Sequence, residues 1–260
     1  MRKIGFIGMG NMASAMAKGF IASGAVQRGQ LYACARDWDK LCRNADAIGF
    51  MPMRTIDELI DAADIVIVAI KPYQIKDVLS PLAEKLCDKI VLSVAAGWDF
   101  ECYEQILLPG TQHLYIMPNT PVEVCEGVLM LEEAHSLTPE NHAEVCALLR
   151  HIGTVEILPA HLMNAGMAIA GCGPAFVAMM IEALGDAGVK YGLQRKTAYA
   201  LAAQTLAGTG KLHLATGEHP AAMKDSVCSP GGTTIKGVTQ LEKSGFRNAI
   251  ISAIDRCAGH

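Results

Sequence analysis

Aromatic and charged residues are both scarce. Only 5% of the 260 residues are Phe, Trp or Tyr and 18% are charged, while 51% are hydrophobic. So much apolar material with so little charge excludes a disordered chain and leaves enough length for one or two cores. Twenty-two Lys and Arg stand against 26 Asp and Glu, a formal net charge of -4. No basic field favours nucleic acid and no polybasic stretch marks a membrane surface. The nine cysteines are odd in number, scattered and without a C-x-x-C pair, which argues against a disulfide framework or a zinc site. No H-E-x-x-H or other metal spacing and no G-x-S-x-G elbow occurs, so no metal is expected. Gly208-Thr209-Gly210-Lys211 fails as a phosphate loop because Leu212 replaces the required Ser or Thr. Met1, Arg2 and Lys3 lead into a short apolar strand without a signal-peptide core. The expected compartment is the cytosol, and the expected partner is a small molecule or another chain.

One segment is long and uncharged, from Leu162 to Ile181. About 20 such residues can span a bilayer. Gly171-Cys172-Gly173-Pro174 interrupts this run, Ala and Gly outweigh Leu and Ile, and no Lys/Arg cluster flanks it. It is read as a buried helix pair, which needs something to be buried against, with no membrane involved.

The first 159 residues alternate short apolar runs with helical patterns. Candidate strands are residues 3–7, 30–35, 64–70, 89–94, 113–117, 128–131 and 154–158, with amphipathic stretches such as 11–23 and 75–86 between them. That alternation predicts an α/β Rossmann-like domain with a mostly parallel, doubly wound sheet over residues 1–159. After Pro159 only helical patterns remain, at 162–170, 174–191, 195–215 and 234–244. Residues 160–260 are therefore expected to form an all-α domain.

The first strand runs into Gly8-Met9-Gly10-Asn11-Met12-Ala13, which is G-x-G-x-x-A. Gly8 permits the tight turn, Gly10 lets backbone approach a pyrophosphate, and Ala13 allows close helix packing. Asn11 and Met12 open the helix whose free N–H groups would receive the phosphates. At the end of the second strand stands Arg36, which suits a 2′-phosphate and favours NADPH over NADH. Asp37 follows at once, and a shift of one residue would reverse that preference. Later strand ends carry Ala69-Ile70-Lys71-Pro72, Ala95-Ala96-Gly97 and Asn119-Thr120-Pro121, on the edge where such sheets bind ligands. Lys71 reads equally as a catalytic acid, a partner for a cofactor hydroxyl or a strand terminator. Near the C-terminus, Ser229-Pro230-Gly231-Gly232-Thr233-Thr234 turns into a helix. Its unsatisfied N–H groups form an anion site for a carboxylate or phosphate. The bland alternative is a helix whose Thr hydroxyls only satisfy the first turn.

These residues together resemble the pyrroline-5-carboxylate reductase family over essentially the whole chain. The least ambiguous matches are Gly171-Cys172-Gly173-Pro174-Ala175-Phe176, Glu182 to Val189, Gly192-Leu193, Ala203-Gln204-Thr205 and Ser229 to Thr234. The resemblance implies NAD(P)H-dependent reduction of 1-pyrroline-5-carboxylate to L-proline. It further implies a homodimer with intertwined C-terminal helices, which the family often builds into a ring of dimers such as a decamer. Ser229, Gly231, Gly232 and Thr233 would then hold the substrate carboxylate, and the Thr234 hydroxyl would face the ring nitrogen as the catalytic group. Gly8, Gly10, Asn11, Met12, Arg36, Ala69, Lys71, Pro72, Ala95, Ala96, Gly97 and Asn119 would serve the cofactor. Three positions depart from the family: Ile56 where some relatives have Asn, Cys172 for the usual Ser or Thr, and Ser226 where some have Asn. Two other readings compete: a hydroxyacid dehydrogenase, for which Lys71 and Lys190 lie in the wrong context, and a non-catalytic NADPH sensor.

Overall fold

The computed structural model describes residues 2–259. In the N-terminal part the chain runs β1 (Ile4–Ile7), α1 (Asn11–Ala22), β2 (Leu31–Cys34), α2 (Trp38–Ile48), β3 (Met51–Pro52), α3 (Ile56–Ala62), β4 (Ile65–Val68), α4 (Pro72–Leu79), α5 (Ala83–Leu86), β5 (Ile90–Ser93), α6 (Phe100–Glu104), β6 (Gln112–Pro118), β7 (Gly127–His135), α7 (Pro139–Arg150) and β8 (Gly153–Leu158). The strands form one sheet in the order β3-β2-β1-β4-β5-β6-β7-β8. Every neighbouring pair is parallel except β6 with β7.

Each of the seven expected strands forms. The central ones are buried on both faces, as in Ile65-Val66-Ile67-Val68, and β-branched residues suit that environment. Alternation divides the core in two. Phe6, Ile65, Ile67 and Leu92 pack with α1, α2 and α7 on one face, while Ile7, Val66, Val68 and Val91 pack with α3 and α4 on the other. The eighth strand, β3, escapes the sequence pattern because it has two residues at the sheet edge, one of them Pro52. The helix expected over 75–86 is broken into α4, a 3₁₀ turn at Ser80–Leu82 and α5, with Pro81 at the break.

The chain falls into two compact units that divide between Gly171 and Cys172, later than the change of texture at Pro159. The reason is local packing. After β8 come a short 3₁₀ turn, α8 (Met163–Gly166) and a π-helical turn at Met167–Gly171. Met163 and Ala170 pack on Tyr115 and Met130 of the sheet, so these turns belong with the strands.

The second unit is all helical: α9 (Gly173–Lys190), α10 (Arg195–Thr216), α11 (Pro220–Ser226), α12 (Thr233–Lys243) and α13 (Phe246–Ala258). Gly185 and Gly188 of α9 lie against Tyr199 and Ala198 of α10, and Arg195 pairs with Asp186. Few side chains are covered. Within this single chain α9 buries only Gly185, and α12 and α13 bury none. Residues 160–190 are long and apolar enough to cross a membrane by composition, with a mean hydropathy of 1.7. The regular helix is nonetheless interrupted there, since α9 starts only at Gly173 with Pro174 in its first turn.

Candidate active site

A cavity of about 950 Å³ follows the carboxyl ends of β2, β1, β4 and β5. Its size is that of a cofactor site. Gly8 adopts φ +96°, and a Cβ there would fall 2.7 Å from the Ala69 carbonyl oxygen, so only glycine fits this turn. Gly10 has open space before it and is the N-cap of α1, without a side-chain cap and without an acidic residue in the first turn. The amides of Asn11, Met12 and Ala13 are therefore left for an outside acceptor. Ala13 is buried against the sheet, as close helix packing requires. The residues present thus fit a dinucleotide pyrophosphate.

The ribose end decides between Arg36 and Asp37. The Asp37 side chain accepts from the Lys40 backbone N–H at 3.0 Å and caps α2, so it is already engaged. Arg36 lines the cavity beside the Gln74 side-chain amide. Two further cations, Lys40 and Arg54, line the same end. The Arg54 Cζ lies over the Trp38 ring, 3.6 Å from its centre, a cation–π contact that helps hold the guanidinium in place. Sequence reasoning missed Lys40, Asn44, Arg54 and Thr55, all of which line the cavity, as does Thr120 of the third strand-end motif. Ile56 lines it too, beside Thr55, which caps α3 reciprocally with Glu58.

Ala69, Lys71, Pro72, Ala95 and Ala96 line the cavity along β4 and β5. Lys71 is the N-cap residue of α4, with Pro72 at its first position, and has no ion pair among the described residues. Two expected residues are not among those lining the cavity. Gly97 sits in the turn behind Ala96 with φ +75°. Asn119 is buried, donating to the Ala170 carbonyl at 2.9 Å and accepting from the Val128 N–H at 2.8 Å. Its amide is consumed in tying the end of β6 to neighbouring segments.

In the second unit, Gly231 takes φ +72° and Gly232 is the N-cap of α12, again with no side-chain cap and no acid in the first turn. The Gly232 N–H closes the turn on the Ser229 carbonyl at 3.0 Å, and the Ser229 hydroxyl lies over Gly232. Thr233 and Thr234 are exposed. The uncapped first turn of α12 is open to an anion, and the bland reading, in which hydroxyls cap the helix, does not describe it.

Comparison with known proteins covers both parts of the chain. The family model described as pyrroline-5-carboxylate reductase dimerisation matches residues 160–260, and the one described as NADP oxidoreductase, coenzyme F420-dependent, matches residues 3–97. The chain is 41% identical over 255 residues to pyrroline-5-carboxylate reductase of Treponema pallidum, covering 96% of this chain and 97% of that one. It is 40% identical over 257 residues to the enzyme of the same name from Escherichia coli, covering 98% and 96%. The crystal structure of Plasmodium falciparum pyrroline carboxylate reductase with NADP bound superposes with a TM-score of 0.88 at 28% identity, covering 99% and 96%. On the strength of its sheet, its two uncapped helix turns and these end-to-end matches, the chain belongs to the pyrroline-5-carboxylate reductase family.

Proposed function

We propose that this chain reduces 1-pyrroline-5-carboxylate to L-proline with NADPH, the last step of proline biosynthesis, as a homodimer in the cytosol. The observation that carries the reading is that one chain, similar to such reductases over its length, has two uncapped helix turns. One opens on a dinucleotide cavity and the other stands beside Ser229 and Thr234.

Backbone amides of Gly10, Asn11 and Met12 would hold the pyrophosphate, with Arg36 on the 2′-phosphate and Lys40 and Arg54 reinforcing the positive end. Ala69, Lys71, Pro72, Ala95 and Ala96 wall the rest of the cavity. Bound NADPH supplies the hydride for the imine carbon. At the second turn the Thr233 amide and the Ser229 hydroxyl receive the substrate carboxylate, Gly231 supplying the left-handed bend and Gly232 the extended N-cap. The Thr234 hydroxyl orients the ring nitrogen and stabilises the amine as it forms. A substrate bound as the iminium is already electrophilic, so the protein's work is orientation and no strong acid is required. Homodimer formation is supported by the exposed apolar side chains of α9 and α10, including Val177, Met179, Leu184 and Leu201.

The test is NADPH oxidation followed by loss of reduced-nicotinamide absorbance, with the imine, with a 2-keto acid and with no substrate in parallel. Oxidation with the imine alone is expected; oxidation with the keto acid alone would favour a hydroxyacid dehydrogenase. Thr234→Ala is expected to lower kcat about tenfold, the worth of one hydrogen bond in the transition state, with NADPH affinity unchanged.

A further inference from the structure

Beneath the cavity's β5 end lies a cluster of buried polar side chains that the proposed reaction does not use. Ser93 on β5, His113 and Tyr115 on β6 and Glu132 on β7 are all less than 5% exposed. They converge on the turn Ala95–Asp99 and on α6 behind it. The Ser93 hydroxyl accepts from the Ala95 N–H at 3.3 Å. The His113 ring stacks on Phe100 with centres 4.7 Å apart, and its Nε2 meets Glu104 at 2.6 Å. Burial pushes the Tyr115 phenol up to about 12.

Glu132 is the costliest member. It is 2% exposed, and its carboxylate accepts from the Phe100 N–H at 2.8 Å, at the first residue of α6. Burial pushes its carboxyl above the usual range, and Asp99 and Glu101 nearby push it the same way. A carboxylate in a strand interior is expensive unless its hydrogen bond matters. Ala95 and Ala96 of this turn line the cavity after β5, at the end of the order β2-β1-β4-β5 opposite Arg36. Since Arg36 marks the adenosine ribose, that end receives the nicotinamide.

We infer that Glu132 is a positioning residue for the cofactor: through the Phe100 N–H at the start of α6 it fixes the Ala95–Gly97 turn against the nicotinamide end. The inference rests on the reading of the cavity as an NADPH site. It separates the two halves of that site, because nothing in the cluster reaches Gly10 or Arg36.

The experiment is calorimetric titration of the full chain with two probes, NADPH and adenosine 2′,5′-bisphosphate, the second of which has no nicotinamide. Glu132→Ala is expected to raise the Kd for NADPH about tenfold, the loss of one charge-assisted hydrogen bond, and to change that for the bisphosphate less than about twofold. Glu132→Gln keeps an oxygen for the Phe100 N–H and is expected to restore NADPH binding to within about threefold of the wild type. Should Glu132→Ala fail to fold, Glu132→Leu, which fills the site but offers no acceptor, gives the same two-probe readout, with the same selective loss expected. Unchanged NADPH affinity, equal loss of both probes in a folded variant, or a Gln variant no better than Ala overturns the inference. Wild-type protein that binds neither probe instead overturns the cofactor reading, and the inference falls with it.

Discussion

The two units use the same apolar composition in opposite ways. In the first, all four residues of β1, of β4 and of β5 are buried, and helices on both faces complete two cores within one chain. In the second, the 18 residues of α9 bury only Gly185 and the 22 of α10 only Ala198 and Ala202. Met179 is 67% exposed and Leu214 78%. A groove of about 400 Å³ between α9 and α10 is lined by Ala178, Met179, Ile181, Glu182, Tyr199 and Ala203. The contrast teaches where self-sufficiency ends: the cofactor sheet closes its own core, whereas the helices keep theirs for another surface. Large contiguous apolar patches on a soluble chain mark interfaces, and the match of residues 160–260 to a dimerisation family agrees with a second copy as the cover.

The largest effect should come from breaking the second unit. Met179→Lys places an ammonium on the apolar face of α9. If that face is covered by another copy, burying an unpaired charge is expected to weaken association at least about a hundredfold. Sedimentation equilibrium reads this directly, while NADPH binding by the first unit should persist. A variant that stays as associated as the wild type would remove the contrast between the units.

A smaller effect sharpens the first unit. Arg36→Ser is expected to raise the Kd for NADPH about tenfold or more, because a charge-assisted bond to the 2′-phosphate is worth about 1.5–3 kcal/mol. NADH, which lacks that phosphate, should bind within about twofold of its wild-type affinity. Equal losses for both cofactors would place the 2′-phosphate elsewhere.

The smallest effect concerns pH. His135 stacks on His142 with ring centres 4.4 Å apart, and burial first, then His142, holds its pKa below the ordinary histidine value. The folded state thus prefers the neutral ring and binds fewer protons than the unfolded chain. The associated stability is complete above about pH 6.5 and is lost as pH falls through that value towards the depressed folded one. Thermal unfolding midpoints between neutral and mildly acidic pH should fall, and fall less steeply in His135→Gln. Identical slopes would detach this pair from the first unit's acid sensitivity.

The legible parts of the fold and the site were those written in contiguous residues. Ile65-Val66-Ile67-Val68 is a strand on its face, and Gly8 to Ala13 declares its turn and helix together. Residues that meet only through the sheet were not legible. Lys40 and Arg54 line the same cavity as Arg36 because β2 and β3 are neighbours, and β3, only two residues long, leaves no periodic trace. Strand composition does not encode direction, so the reversal between β6 and β7 had no signal. The strand expected to stop at Leu131 continues to His135, since its backbone goes on pairing with β8 at Glu132 opposite Leu158 and with β6 at His135 opposite Leu114. Asn119 was placed correctly at a strand end, but its amide turns inward, a choice made by Ala170 and Val128.

The central claim is that NADPH-dependent imine reduction belongs to a pair of chains, each with a self-contained cofactor sheet and an uncovered helical unit. The most direct test is active-enzyme sedimentation, in which a band of protein moves through NADPH and 1-pyrroline-5-carboxylate while the loss of reduced nicotinamide is tracked with it. The expected result is NADPH consumption travelling with a dimer or a larger even-numbered assembly. Consumption travelling with a monomer, or none above the substrate-free background, would contradict it.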